Sequence, residues 1–352
     1  MYYYILATII FLLGILEIDY NKYKYSKIIT VILATILIIF AGLKTDGSTD
    51  YVEYKFLFDR YTDYSNNEFI EPGYQFLMLL THWYSNNFII FTFIIAIISI
   101  SLKSIIFYRL TPYVSVAFLM YLCGCFFERD NDGIRQGLSI SFCFVGLYYL
   151  IDNNIKKYII FTLLACSIHY SSFIFFGALL LRKIKWSTKT IIFIVSIAYI
   201  ISLVGGSLTA ILIRNIPIIM VAEKVSIYSS NSYSESIGIS IGILFRTLIL
   251  ILFMLNYNRI NINNTLFLIL RNGLALSIIL SLLFGDFAII SHRLPYVFRE
   301  FQIFIVSYLI SAFNRIDYKI CGLLIVFIYT CIILNRFLIE GSIYNNYKNL
   351  LF

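Results

Sequence analysis

Charged residues are what this sequence has least of. Asp, Glu, Lys and Arg make up 13% of 352 residues, against 60% hydrophobic. Soluble domains carry about one quarter charged residues and just under half apolar ones. The imbalance excludes an ordinary water-facing enzyme surface. Histidine is nearly absent. His82, His169 and His292 lie far apart, with no ligand spacing, so no metal site is expected. No G-x-x-x-x-G-K-[ST] occurs, which excludes a P-loop nucleotide engine. No basic patch is interleaved with aromatics, which speaks against nucleic acid as a partner. No loop cysteine exists: Cys123, Cys125, Cys143, Cys166, Cys321 and Cys331 all fall in apolar runs. That excludes a disulfide framework and predicts small buried hydrophobes. Internal repeats are not apparent.

What the chain does have is apolar length. A bilayer core about 30 Å thick takes a helix of roughly 20 apolar residues. About eleven such runs follow one another, at 2–19, 28–44, 87–107, 111–127, 135–151, 158–181, 189–208, 238–256, 265–284, 293–313 and 318–336. A short amphipathic piece, 73–84, precedes the third. The reading is an all-α, polytopic integral membrane protein, one multi-pass domain over 1–352, with long extracytoplasmic loops. The start, MYYYILATIIFLLGILEI, lacks a basic n-region and a small-residue cleavage site, and reads as a retained span.

The net charge of +8 suits basic cytoplasmic loops. Lys22, Lys24 and Lys27 place the first loop inside, so 45–72, rich in acids, falls outside. Lys103 and Arg109 then fall inside, the turn 128–135 outside, and Lys156 and Lys157 inside. Arg182, Lys183, Lys185 and Lys189 also read as inside. A plain crossing over 158–181 would put them outside. That segment is interrupted by Ser167, His169, Ser171 and Ser172. It is therefore either a re-entrant hairpin of two half-helices of about 11 residues or an ordinary span that breaks the charge rule. With the hairpin, 209–237 and the tail 337–352 fall outside.

One short turn spends most of the scarce charge. CFFERDNDGIRQGLSIS (125–141) holds Glu128, Arg129, Asp130, Asp132, Arg135 and Gln136 between apolar runs. The acids there read as a solvated loop. Arg135, beginning a helix whose N–H groups attract anions, reads as a phosphate contact. A second concentration, SHRLPYVFRE (291–300), holds His292, Arg293, Arg299 and Glu300. Arg293 and Glu300 are spaced to share a helix face. They are either a structural pair or part of a guanidinium grip on pyrophosphate. His169 sits mid-span, either as a packing element or as a substrate contact. Gly205-Gly206 reads as close helix packing.

In order along the chain come KTDGSTDYVEY (44–54), EPGY (71–74), IRQGLS (134–139), SIHYSSFIFF (167–176) and HRLPYVF (292–298). This series resembles the EpsG-like branch of the Wzy polysaccharide polymerases. The resemblance carries over Gly47, Asp50, Tyr54, Glu71, Arg135, His169 and Arg293. It departs from the pattern at Pro295, which begins or kinks the helix there. The resemblance implies a glycosyltransferase of the inner membrane that joins undecaprenyl-diphosphate-linked oligosaccharide repeat units at the periplasmic face. The product would be an O-antigen, a capsule or an exopolysaccharide. Asp50, Glu71 and His169 would be the base candidates. Arg135, Arg293 and Arg299 would hold the diphosphate, and Tyr54 and Tyr74 the sugars. No cofactor is implied, because the diphosphate already activates the donor sugar. Membrane lipid is a second partner, and a chain-length regulator an optional third. Competing readings are a lipid-linked oligosaccharide flippase, against which the missing repeats count, a polysaccharide ligase, and an acyltransferase.

Overall fold

The computed structural model describes residues 2–19, 22–46, 50–60, 70–204, 239–285, 288–340 and 348–351. In chain order these form α1 (Tyr2–Asp19), α2 (Lys22–Gly42), strand β1 (Lys44–Asp46), α3 (Tyr51–Asp59), α4 (Pro72–Tyr84), α5 (Phe88–Leu110) and α6 (Val114–Tyr121). A π-helical stretch, Leu122–Asp130, leads to α7 (Ile134–Ile151) and α8 (Ile155–Ile168). A 3-10 stretch, Tyr170–Gly177, leads to α9 (Ala178–Leu181) and α10 (Thr188–Val204). Then come α11 (Ile241–Leu255), α12 (Asn264–Leu283), α13 (Ala288–Arg293), α14 (Tyr296–Arg299), α15 (Gln302–Ser311), α16 (Ile316–Glu340) and β2 (Lys348–Asn349). The protein is all-α and polytopic. Lipid offers no partner for backbone N–H and C=O groups, and a helix satisfies its own.

Among the described residues, six helices are long and apolar enough to cross a membrane: α1, α2, α5, α7, α12 and α16. The other five expected runs are shorter or broken. The run 111–127 leaves α geometry at Leu122, where wider turns begin. The run 158–181 breaks at His169, whose backbone is extended (φ −154°, ψ 119°). Its first leg, α8, has 14 residues, more than the half-helix expected. The run 293–313 is three pieces. Pro295 lacks an N–H to continue α13 and its ring opposes the carbonyl one turn earlier. The helix face that Arg293 and Glu300 were expected to share does not exist for that reason. The runs 189–208 and 238–256 supply helices of 17 and 15 residues. The loop 209–237 between them, and Gly205-Gly206, lie outside the described residues.

The chain divides into two compact units, Met1–Phe173 with Val306–Phe352, and Ile174–Ile305. In the first, α1 packs on α2, α6 and α16, and the series α2, α5, α7, α8 packs neighbour to neighbour. Glu17, fully buried, explains one charge at the end of α1. Its carboxylate accepts the N–H groups of Val114 and Ser115, both at 2.9 Å, and the Ser26 hydroxyl at 2.7 Å. It thus satisfies the open N–H groups of α6 and complements its dipole. At the end of α2, β1 pairs antiparallel with β2. Leu350 N donates to Leu43 O at 3.0 Å, and the Asn349 amide donates to Ile39 O and Phe40 O. The C-terminal residues are therefore laced to the chain segment that leads into 45–72.

In the second unit, α10 and α11 pack on α12. Asn272 donates to Leu181 O at 2.7 Å and Ile184 O at 2.9 Å, and Arg271 to Ile184 O at 3.2 Å. These two buried polar residues take up carbonyls left open where α9 ends.

Of the six cysteines, all free thiols, Cys123, Cys125 and Cys143 are buried as expected. Cys321 is not. It lies exposed on α16, among the apolar side chains of that helix's outer face.

Candidate functional site

Glu71 is the hub of the site. It precedes Pro72, and the proline ring holds the preceding residue in extended backbone (φ −63°, ψ 139°). Its carboxylate therefore projects from the very start of α4. Oε2 accepts Arg135 Nη1 at 3.1 Å, and Oε1 accepts the Tyr170 N–H at 3.3 Å. One carboxylate thus joins the start of α4, the first turn of α7 and the break after α8. Gly73 permits this approach: a Cβ there would lie 2.8 Å from Ser167 O. Arg135 pairs with Glu71, not with the neighbouring Glu128, which lies 3.8 Å from Arg129.

The Arg135 guanidinium also stands 5.4 Å from the Tyr54 ring centroid and 5.7 Å from that of Tyr74, within cation–π reach. Both tyrosines are buried in a core with Phe58, Phe88 and Phe91. They flank the guanidinium, Tyr54 from α3 and Tyr74 from α4, two helices that both pack on α5. Burial raises the pKa of both phenols. Tyr74 Oη and Arg135 Nε are buried without a hydrogen-bond partner among the described residues.

His169 enters from the break after α8. Its Nδ1 accepts the Ser171 N–H at 3.2 Å and lies 2.7 Å from Ser171 Oγ. Gln136 donates to that same Oγ at 3.3 Å. A backbone N–H can only donate, so Nδ1 is the acceptor and the proton of the neutral ring is on Nε2. In this tautomer His169 offers a donor.

The turn 125–141 is not a wet loop. Asp130, Asn131 and Asp132 are all buried. Asp130 meets Lys103 Nζ at 2.9 Å and Tyr121 Oη at 2.6 Å, and accepts the Ser99 hydroxyl. Lys103 also donates to Gly137 O at 2.7 Å and Ser141 Oγ at 2.9 Å. Lys103, expected toward the cytoplasmic side of the run 87–107, lies within α5, fully buried. A charge held in a helical span needs such a partner. The wider turns of Leu122–Asp130 end at Asp130 and carry it to Lys103. Gly137 is required here, since its Cβ would sit 2.9 Å from Asp130 Oδ1.

Asp50 lies beside this turn. Its N–H donates to Asp132 Oδ1 at 3.0 Å. Lys44, buried, donates to Asn131 O. Burial lowers its pKa to about 8, against the attraction of Asp132, Asp50 and Asp130. Gly47 lies outside the described residues.

The second unit holds the remaining candidates. His292 and Arg293 are exposed. Arg299 is buried, with Nε 3.2 Å from Glu300 Oε1, its guanidinium 3.8 Å from the Tyr296 ring centroid and Nη1 3.4 Å from His292 Nδ1. Glu300 therefore pairs with its neighbour Arg299. Among the described residues no group of three His, Cys, Asp or Glu could hold a metal ion.

The sequence reading did not find Glu17 or Arg271, nor the buried partner of Lys103. Each had a signal, a lone charge inside or ending an apolar run, which predicts a buried partner.

The fold and the site together define a polytopic membrane protein with a buried, ion-paired polar cluster at the start of one span. A model of the EpsG family matches residues 27–350, and the chain belongs to that family. No curated protein and no solved structure matches it.

Proposed function

We propose that this protein is a polysaccharide polymerase that joins oligosaccharide repeat units carried on undecaprenyl diphosphate. It does so by glycosyl transfer at the outer face of the inner membrane. Family membership supports the polymerase class. The observation that carries the site is the Glu71–Arg135 pair, into which three of the motif segments converge. An acceptor hydroxyl attacks the anomeric carbon of the donor sugar, and the bond to the lipid diphosphate breaks. Arg135 stabilises charge on the departing diphosphate. His169 donates from Nε2. The proton of the acceptor hydroxyl passes to a carboxylate, Glu71 or Asp50. Arg293, exposed, is kept as a diphosphate contact. Arg299 and the two tyrosines serve packing and positioning.

Deleting the gene should leave single repeat units on the final acceptor and no long glycan. A flippase loss would strand repeat units at the cytoplasmic face, and a ligase loss would leave polymer lengths intact. Glu71→Gln and Asp50→Asn, compared for polymer length at matched abundance, identify the base. Normal polymer in the deletion strain overturns the reading.

A further inference from the structure

The helix that begins at Glu71 has a second face. Tyr74, Met78 and Thr81 point inward. Phe76, Leu79, Leu80, Trp83 and Tyr84 are exposed, the last two at 88% and 84%. Their spacing, i, i+3, i+4, i+7, i+8, is that of a single helix face. No Asp, Glu, Lys or Arg occurs in α4. A stripe of large apolar side chains this continuous marks an interaction surface.

One occupant fits this surface, the lipid bilayer. With 13 residues, α4 is about 20 Å long at 1.5 Å per residue, too short to cross a bilayer core. Directly after the link 85–87 comes α5, a span of 23 residues that starts at Phe88. The first turn of a span lies at a membrane boundary, so Trp83 and Tyr84 lie at that level as well. Tryptophan and tyrosine concentrate there because one part of each ring system is apolar and another hydrogen-bonds water. The stripe leads through three residues into the span α5 and carries no charge for a protein partner to match.

We propose that α4 is a membrane-surface helix. Its stripe of Phe76, Leu79, Leu80, Trp83 and Tyr84 is seated in the headgroup–acyl boundary of the bilayer, and this seating sets the depth of Glu71 at the other end of the helix. Helices of this kind lie with the apolar face about 5–10 Å into the boundary. A lipid-borne substrate has its reacting diphosphate at that same level. The proposal requires only that α5 spans, and is independent of the polymerase reading.

The chain has two tryptophans, Trp83 and Trp186. In the full-length Trp186→Phe protein, Trp83 is the sole indole reporter. The protein is placed in vesicles of phosphatidylethanolamine and phosphatidylglycerol, with lipids brominated near the headgroup or near the chain end. Loss of Trp83 emission should be largest with the shallow bromines, and aqueous iodide should have little effect. Quenching by iodide alone would place α4 in water and overturn the proposal. Quenching by neither would mean that protein covers the stripe, and strongest quenching by deep bromines would mean an inserted segment. Either result also overturns it. Leu80→Glu should weaken the shallow quenching and shift the emission to the red. If that variant does not accumulate, quenching of the parent protein decides alone.

Discussion

Arg135 holds two relations at once, an ion pair to Glu71 and a seat between two tyrosine rings. Losing one charge-assisted contact costs about 1.5–3 kcal/mol. If the contact acts in the transition state, that is about 10- to 150-fold in rate. Arg135→Ala should therefore abolish long polymer while the protein stays inserted, and Arg135→Lys should recover little, since an ammonium loses the planar fork. Arg129→Ala should do much less. Polymer length on a gel, with protein level measured alongside, checks all three. Lys44 makes a second residue-scale case. Its folded pKa, about 8, lies below that of a free lysine. Between those values the unfolded chain binds the proton more tightly, so this residue's contribution to stability rises with pH across the window and is absent below it. The apparent unfolding midpoint in detergent, followed upward from about pH 8, should lose that part of its slope in Lys44→Met.

At the scale of elements, the first turn of α7 is what matters, because it carries both Arg135 and Gln136. Lys103 pins that turn through Gly137 O, and Asp130 holds Lys103. Removing one partner of a buried pair leaves an uncompensated charge and costs about 3–5 kcal/mol. Lys103→Met should therefore sharply lower the amount of folded protein. Lys103→Met combined with Asp130→Asn should restore much of it, because no bare charge remains. Thermal aggregation of the purified proteins measures the difference. If the double variant were as poor as the single one, the pair would not be acting as a charge pair.

At the scale of the whole molecule, the strand pairing carries a topological consequence. Residues 348–351 are bonded to the chain at 39–46, so the tail and the start of the 45–72 loop lie on one membrane face. Leu350→Cys, exposed, should react with an impermeant thiol reagent on spheroplasts. Asn153→Cys, in the turn before Lys156 and Lys157, should react only after permeabilisation. Labelling of both from outside would reverse the orientation. Ser187→Cys should stay protected if 158–181 re-enters the membrane, and become labelled if it crosses.

Composition and run length alone determined that this is a helical membrane protein, because the cost of burying backbone in lipid depends on little else. The order of short motifs was also enough to point to the EpsG family. Arg135 and His169 stood out in the sequence as polar groups at or inside an apolar run, and Glu71 through its place in the motif series. Tertiary structure alone decided their relations. Arg135 has Glu128 closer in sequence, yet it pairs with Glu71, because the proline that follows Glu71 holds it extended at the start of α4, while the bare Gly73 lets that start close on the end of α8. Tyr54 and Tyr74 lie buried in one core, though neither segment's sequence points to the other. Lys103 belongs to α5 and Asp130 to a π-helical end, and nothing in either segment names the other. Such a pair exists only when two helices are packed.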